Sequence, residues 1–490
     1  MRIRRGSIVA SWLLALASTL VSSEDLAAGL LWRSARASEV VFLVKPYLQL
    51  GDATPGRVAE NLGLLWHTDL VEADWAVEYR PGSGAAWREA EAPRARGIAV
   101  PSIAPHWVYQ AALKGLNPGE PFAYRVHKGG KVVFSADGRA PKGAGQSHRF
   151  VVFGDCGAGT AEQKAVAYQA YLARPDFVMI TGDVVYSRGR ISEYREKFWT
   201  VYNADEASPL SGAPLLRSTL FVAAPGNHDI ATRDLEKYPD GLAYFLYWDQ
   251  PHNGPLGTEG SVLVPALKGS LANREAFLAA AGAAYPRMAN FSFDYGNAHW
   301  TILDSNEYVD WTNRELRAWV ERDLAAARDA TWRFVAFHHP GFNSSKAHFD
   351  AQQMRLLADV FEAGRVNLVF SGHVHNYQRT FPLRFTATKG SDGKLVRDGD
   401  KVPGRWVLDT VFDGRANTRP QGVIYLITGA GGNRLYNPEQ QDDPFSQQSF
   451  TTKFISKVHS FTVADVNGPN LTVRQIAIDG AELDRFVVTK

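Results

Sequence analysis

The chain reads as an α/β protein preceded by an all-β sandwich, and three observations carry that reading. Residues 38–146 hold short alternating runs punctuated by turn residues. From His148 onward, apolar runs alternate with amphipathic helical stretches. Polar donor residues then recur where those apolar runs stop.

In the first region the runs fall at 62–66, 75–79, 107–113 and 122–126, with turn clusters at 81–84 and 117–119. Roughly seven short strands in about 100 residues predict a fibronectin- or immunoglobulin-like sandwich. A linker follows at 141–145. In the second region, strands are expected at 150–153, 177–181, 220–223, 300–303, 332–337 and 367–370, and helices at 161–173, 192–202, 313–327 and 351–363. Strands buried on both faces and alternating with helices make an α/β sheet. The strand-rich tail, 459–489, turns at Asn467-Gly468-Pro469 and closes the same domain. Segments 238–273 and 386–419 read as long irregular loops, the kind that form lids or insertions. The predicted domains are a sandwich over 38–146 and an α/β domain over 147–490.

Bulk properties exclude several classes. A chain of 490 residues is too long for one ordinary core. With 45% hydrophobic and 21% charged residues it is globular, and a net charge of only +2 offers no basic surface for nucleic acid. Arg2, Arg4 and Arg5 precede an uncharged apolar run over 8–21, too short for a typical membrane span. Residues 1–37 therefore read as a signal peptide, cleaved near 23 or near 37, with Arg4-Arg5 permitting twin-arginine export. The competing reading is an uncleaved anchor. Cleavage leaves a near-neutral protein with no stable membrane span, secreted or periplasmic. The single cysteine, Cys156, allows no internal disulfide and reads as a small buried hydrophobe rather than a ligand or nucleophile.

The chemistry sits in five short motifs: Gly154-Asp155-Cys156-Gly157, Gly182-Asp183-Val184-Val185-Tyr186, Gly226-Asn227-His228-Asp229, Val335-Ala336-Phe337-His338 and Gly372-His373-Val374-His375. Each places a donor at the end of an expected strand, where an open α/β sheet forms its ligand crevice. Singly, each has a bland explanation. Gly-Asp is ordinary turn chemistry, a His-x-His pair can be a surface accident, and a lone Tyr is a rim aromatic. So many metal donors in one domain, all at strand ends, do not share one bland explanation.

The ordered set resembles the calcineurin-like metallophosphoesterases and, within them, the purple acid phosphatases. The likeness extends to Lys45-Pro46-Tyr47-Leu48-Gln49, to the segment 290–296 and to the Gly429-Ala430-Gly431-Gly432 turn. It implies a four-layer β/α sandwich after a fibronectin-like domain. Two positions discriminate the subfamily: most such enzymes have Asp-x-His in the first motif, whereas here Gly157 stands in place of that His and Tyr186 supplies a donor. The resemblance then implies Asp155, Tyr186 and His375 on a first metal, Asn227, His338 and His373 on a second, and Asp183 bridging both. A metal-bound tyrosinate adds one negative charge, which a trivalent first ion balances. Hard phenolate and carboxylate oxygens suit Fe³⁺, and the imidazole-rich second site suits Fe²⁺, Zn²⁺ or Mn²⁺.

The implied activity is hydrolysis of phosphate monoesters, an acid phosphatase reaction in which hydroxide held at the dinuclear centre attacks phosphorus. His228 matches the family's outer histidine that contacts phosphate or protonates the leaving group. His348 lies where plant-type relatives place a substrate-facing histidine, although their adjacent second histidine is Ala347 here. Asp229 is expected to orient His228, and His339 and Arg379 to support the ligands from behind. Two rivals stand beside this reading: a phosphodiesterase or nucleotidase on the same metals, and a non-enzymatic surface protein binding through its sandwich.

Overall fold

The computed structural model describes residues 41–52 and 60–490. The targeting segment expected at 1–37 lies outside them. Among the described residues no helix is long and apolar enough to cross a membrane.

Alternation in the N-terminal region produces two antiparallel four-stranded sheets. One runs in the order Val44–Gln49, Asn61–Thr68, His106–Lys114, Arg94–Ile98, and the other Arg88–Glu89, Trp75–Arg80, Pro121–Lys128, Lys131–Arg139. Large aromatics at alternate positions close the sheets face to face. Trp66 and Tyr109 of the first stack at 5.4 Å, and Trp75 of the second meets them at 5.7 and 5.6 Å. The short pair partner Arg88–Glu89 is exposed at both positions, so no hydrophobic pattern marks it in the sequence.

The α/β region holds two mixed sheets. The first has the order Leu220–Ala223, Phe177–Ile180, His148–Phe153, Ser460–Asn467, Asn470–Ala477, Glu482–Thr489. Its first three strands are parallel, and the tail is joined to them through an antiparallel pairing of Ser460–Asn467 with His148–Phe153. The second sheet runs Phe291–Tyr295, Ala298–Ile302, Trp332–Ala336, Leu368–Ser371, Ile424–Thr428, Tyr377–Thr380, Thr451–Ile455. Phe150 of the first sheet touches Trp300, Phe334 and Phe370 of the second at 5.0, 5.4 and 5.9 Å, so aromatic rings fill the space between the sheets. Helix Ala161–Leu172 covers the outer side of the first sheet through Val166, Ala167 and Ala170, and helix Arg314–Ala326 covers the second through Leu316, Val320 and Leu324. These are four layers, helix–sheet–sheet–helix.

Two expected helices are locally altered. The 192–202 helix carries a π turn at Tyr194–Phe198 between Ile191–Glu193 and Trp199–Tyr202. The 351–363 helix begins as a tighter 3₁₀ turn, Gln353–Leu357, before Ala358–Ala363. The 386–419 segment is also not wholly irregular. Its strand Gly404–Leu408 pairs antiparallel with Leu383–Ala387. That strand lies in a polar, Gly-rich stretch, and it is anchored by Trp406 against Phe450 at 5.3 Å. Likewise 238–273 contains the fully buried turn of helix Tyr244–Tyr247.

The N-terminal sheets are bonded to the α/β region. Tyr47 donates its hydroxyl to the Tyr247 carbonyl at 2.9 Å, Arg96 donates to the carbonyls of Leu246 and Ala280, and Gln110 donates to Asp249. Residues Phe42–Lys490 thus form one compact unit.

One buried ion cluster makes stability depend on pH. His299 lies between Asp294, 2.7 Å from Nδ1, and Asp323, 3.0 Å from Nε2. Burial alone lowers its pKa, but the two carboxylates outweigh burial and raise it to about 9. A raised histidine contributes its full stabilisation below its ordinary pKa and loses it as pH rises through the folded value. The wild type is therefore expected to lose up to about 3 kcal/mol relative to His299→Gln between about pH 6.5 and pH 9. Denaturant titrations of both proteins across that range check it, and a pH-independent difference refutes it.

Candidate metal centre

The sheets deliver every motif to one place. Asp155 follows strand His148–Phe153, Asp183 follows Phe177–Ile180, and Asn227 opens a helical turn just beyond Leu220–Ala223. From the other sheet, His338 follows Trp332–Ala336, while His373 and His375 follow Leu368–Ser371. Parallel strands present their carboxyl ends on one edge, so donors distant in sequence converge.

The convergence is close. Tyr186 Oη lies 3.0 Å from Asp155 Oδ1 and 3.2 Å from His375 Nε2. His375 Nε2 is 3.4 Å from Asp155 Oδ1. His338 Nε2 is 3.1 Å from Asn227 Oδ1, 3.3 Å from Asp183 Oδ1 and 3.9 Å from Asp155 Oδ1. The His373 ring lies 5.0 Å from that of His338. Potential ligand atoms of Asp155, Asp183 and His338 lie within 4.8 Å of one another, as do those of His338, His339 and His373.

Three features show that these donors suit cations. First, His338 donates Nδ1–H to the Thr181 carbonyl at 2.8 Å, and His375 donates Nδ1–H to the Arg434 carbonyl at 2.6 Å. Each carbonyl thereby directs Nε2, the ligand nitrogen, at the carboxylates. Second, the local field is strongly negative. Burial lowers the His338 pKa, yet Asp183 and Asp155 raise it to about 9. Burial first, then Asp155 and Asp183, push the Tyr186 phenol well above its ordinary range, so a phenolate there needs a compensating positive charge. Third, Asp155, Asp183 and His373 have φ of 57°, 51° and 66°. This left-handed conformation costs an L-residue about 1–2 kcal/mol each, strain that gathers at functional sites.

Part of the chain is similar to the calcineurin-like phosphoesterases. The model of that family matches residues 148–377, from the first strand of the α/β region to just past the His-x-His motif. Among curated proteins, the chain is 36% identical over 160 residues to purple acid phosphatase 23 of Arabidopsis thaliana, covering 31% of this chain and 28% of that one. It is 25% identical over 312 residues to probable inactive purple acid phosphatase 27 of the same plant, covering 57% and 45%. The matched segments thus span less than half of these relatives' length. Among solved structures, a purple acid phosphatase from yellow lupin (Lupinus luteus) seeds superposes with a TM-score of 0.61 at 17% identity, covering 91% of this chain and 74% of that one. That likeness is one of fold.

Within residues 148–377, glycines beside these donors are spatially required. A Cβ at Gly182, whose φ is +90°, would lie 2.6 Å from His338 Nδ1. At Gly157 it would lie 2.0 Å from the Val184 carbonyl oxygen. The backbone leading to Tyr186 thus occupies the space a side chain at 157 would need. Cys156 is buried, its thiol held against the Val184 carbonyl at 3.7 Å, consistent with a packing role.

The outer residues divide. His228 packs on Tyr186 at 4.6 Å and faces Asp183 Oδ2 across 3.8 Å. Its orientation comes from the Ser187 carbonyl, which accepts from Nδ1 at 2.8 Å, and not from Asp229 as the sequence suggests. The Asp229 carboxylate is buried between two ligand loops, where it accepts from the backbone N–H groups of Val184 at 3.0 Å and Gly226 at 2.8 Å. Arg379 also departs from expectation. Its guanidinium grips Asp484 at 2.7 and 3.1 Å and covers Phe486, bonding to the C-terminal strand and to none of the seven donors. His348, exposed and with φ 56°, lays its ring 4.0 Å from His373.

Two site residues escape the sequence reading. Tyr436 stacks on His375 at 4.0 Å and 11°, and lies 5.4 Å from His348. It follows the noted Gly429–Gly432 turn by four positions, but nothing in sequence distinguishes it from a core aromatic. Ser305, buried behind His338 and His339, sits just beyond strand Ala298–Ile302 in Asp304-Ser305-Asn306. The strand-end rule that found the other donors applies to it as well.

Proposed function

We propose that this protein hydrolyses phosphate monoesters at a dinuclear metal centre. The observation that carries the reading is the meeting of Asp155, Asp183, Tyr186, Asn227, His338, His373 and His375 with imidazole nitrogens aimed at buried carboxylates. Asp155, Tyr186 and His375 would hold the first ion, Asn227, His338 and His373 the second, and Asp183 would bridge them. The first position suits Fe³⁺, and the second suits Fe²⁺, Zn²⁺ or Mn²⁺. Bound there, the ions would supply a nucleophile from water at neutral or acid pH and neutralise charge on the phosphoryl group.

The chain's own residues supply orientation and proton movement. The Thr181 and Arg434 carbonyls keep two imidazoles in the ligand tautomer. His228 presents Nε2 beside Asp183 with Nδ1–H on the Ser187 carbonyl, so only as the imidazolium would it give a proton from Nε2 to the leaving oxygen. His348 and Tyr436 would wall the side that admits the ester. Residues 38–146 would act as a fibronectin-like module bracing the phosphoesterase domain. The basic-then-apolar start points to export, which N-terminal sequencing of the mature protein tests.

The decisive measurement compares p-nitrophenyl phosphate with its bis-ester on protein of known metal content. Higher kcat/KM on the monoester is expected. Preference for the diester makes the protein a phosphodiesterase. Absence of any hydrolysis after loading with iron and zinc makes it a non-catalytic relative, like the Arabidopsis protein named as probably inactive.

A further inference from the structure

Adjacent histidines 338 and 339 meet different partners, and the partners set opposite tautomers. His338 gives its Nδ1 proton to a carbonyl, which can only accept. His339 Nδ1 instead lies 3.0 Å from Ser305 Oγ. That hydroxyl already accepts two backbone hydrogen bonds, from His338 N–H at 3.1 Å and His339 N–H at 2.8 Å. A hydroxyl oxygen has two lone pairs and one proton. With both lone pairs engaged, Ser305 has only its proton to offer, and His339 Nδ1 accepts it. A neutral imidazole that accepts at Nδ1 carries its hydrogen on Nε2.

His339 is therefore a poor metal ligand, although it stands among them. Its ring lies 4.2 Å from His373 and 4.9 Å from His338. Among the described residues, no hydrogen-bond acceptor meets its Nε2–H, and the little surface this side chain keeps includes that nitrogen. A donor fixed in this way beside the candidate ligand rings is available to an acceptor from outside the chain.

We infer that His339 contacts the substrate, donating Nε2–H to a phosphoryl oxygen of the ester, with Ser305 as the positioning residue that locks the donor tautomer. This rests on the phosphate-ester reading of the same site. It adds a neutral donor on the His373 side of the centre, opposite in character to the ligand histidines.

The test uses full-length, metal-loaded wild type, His339→Ala and His339→Gln, with metal analysis and calorimetric titration of inorganic phosphate. Both variants are expected to keep the wild-type metal stoichiometry. His339→Ala should weaken phosphate binding about tenfold, the size of one strong hydrogen bond, and His339→Gln, whose amide can donate, should recover most of it. Loss of a metal equivalent in His339→Ala would make the residue a ligand and overturn the inference. Unchanged phosphate affinity, or no recovery by Gln, overturns it equally. If the wild type binds neither metal nor phosphate, the functional reading fails instead. The nitrogen-15 shifts of the His339 ring in the full chain then still decide the tautomer, and Nδ1–H there ends the proposal.

Discussion

Replacing Tyr186 with Phe removes the visible charge-transfer band expected of the iron-loaded protein and weakens the first metal site by at least about 10²-fold. Outer partners of metal ligands typically cost 10–100-fold when lost, and a charged ligand exceeds them. The phenol oxygen stands 3.0 Å from Asp155 and 3.2 Å from His375 Nε2, the two other donors proposed for that site. Phe keeps the ring contact with His228 at 4.6 Å, so the fold should tolerate the change while the site loses one negative charge. Absorption spectra and metal analysis of both proteins, with melting temperatures as a control on folding, provide the check. A variant that keeps the band removes Tyr186 from the ligand set. A colourless, iron-free and fully active wild type removes Fe³⁺.

The second large effect falls on stability and on the same tyrosine. Gly157→Ala is expected to cost about 3 kcal/mol or more, the upper range for forced overpacking. The new methyl would stand 2.0 Å from the Val184 carbonyl oxygen and 2.7 Å from Val185 Cα, both backbone atoms that no rotamer change can move. The Gly157 carbonyl also accepts the Tyr186 N–H at 3.0 Å, so any backbone shift displaces the phenol. Gly157→His, which restores the motif common in related enzymes, should for the same reason fail to rebuild a histidine site, even combined with Tyr186→Phe. Denaturant unfolding and metal analysis measure both. A stable Gly157→His variant that binds two metals would show that the loop can yield.

Much of the site was legible in the chain because strand ends leave a local mark. Asp155, Asp183, Asn227, His338 and the 373/375 pair each follow an apolar run that the sequence displays on its own. The α/β order was legible for the same reason: runs such as 150–153 and Phe177–Ile180 are apolar throughout and fully buried. Elements that depend on a distant partner were not. Gly404–Leu408 is a five-residue strand whose inward face, Trp406 and Leu408, is only half-buried, and it gains its place by pairing with Leu383–Ala387. Arg379 looked like a ligand support until Asp484, over a hundred residues away, took its guanidinium.

Sequence alone therefore pointed to the candidate donors, because residue type and strand-end position are local properties. Through the family resemblance it also marked Gly157 and Tyr186 as the positions where the candidate set departs from the usual motif. Tertiary structure alone decided how each side chain is spent. Whether Asp229 orients His228 or ties two loops, and which nitrogen of His339 carries the proton, depends on hydrogen-bond partners in other strands. The physical reason is that a donor or acceptor buried away from water must be paired with whatever the fold brings within about 3 Å. For His339 that partner is Ser305, from the end of a different strand.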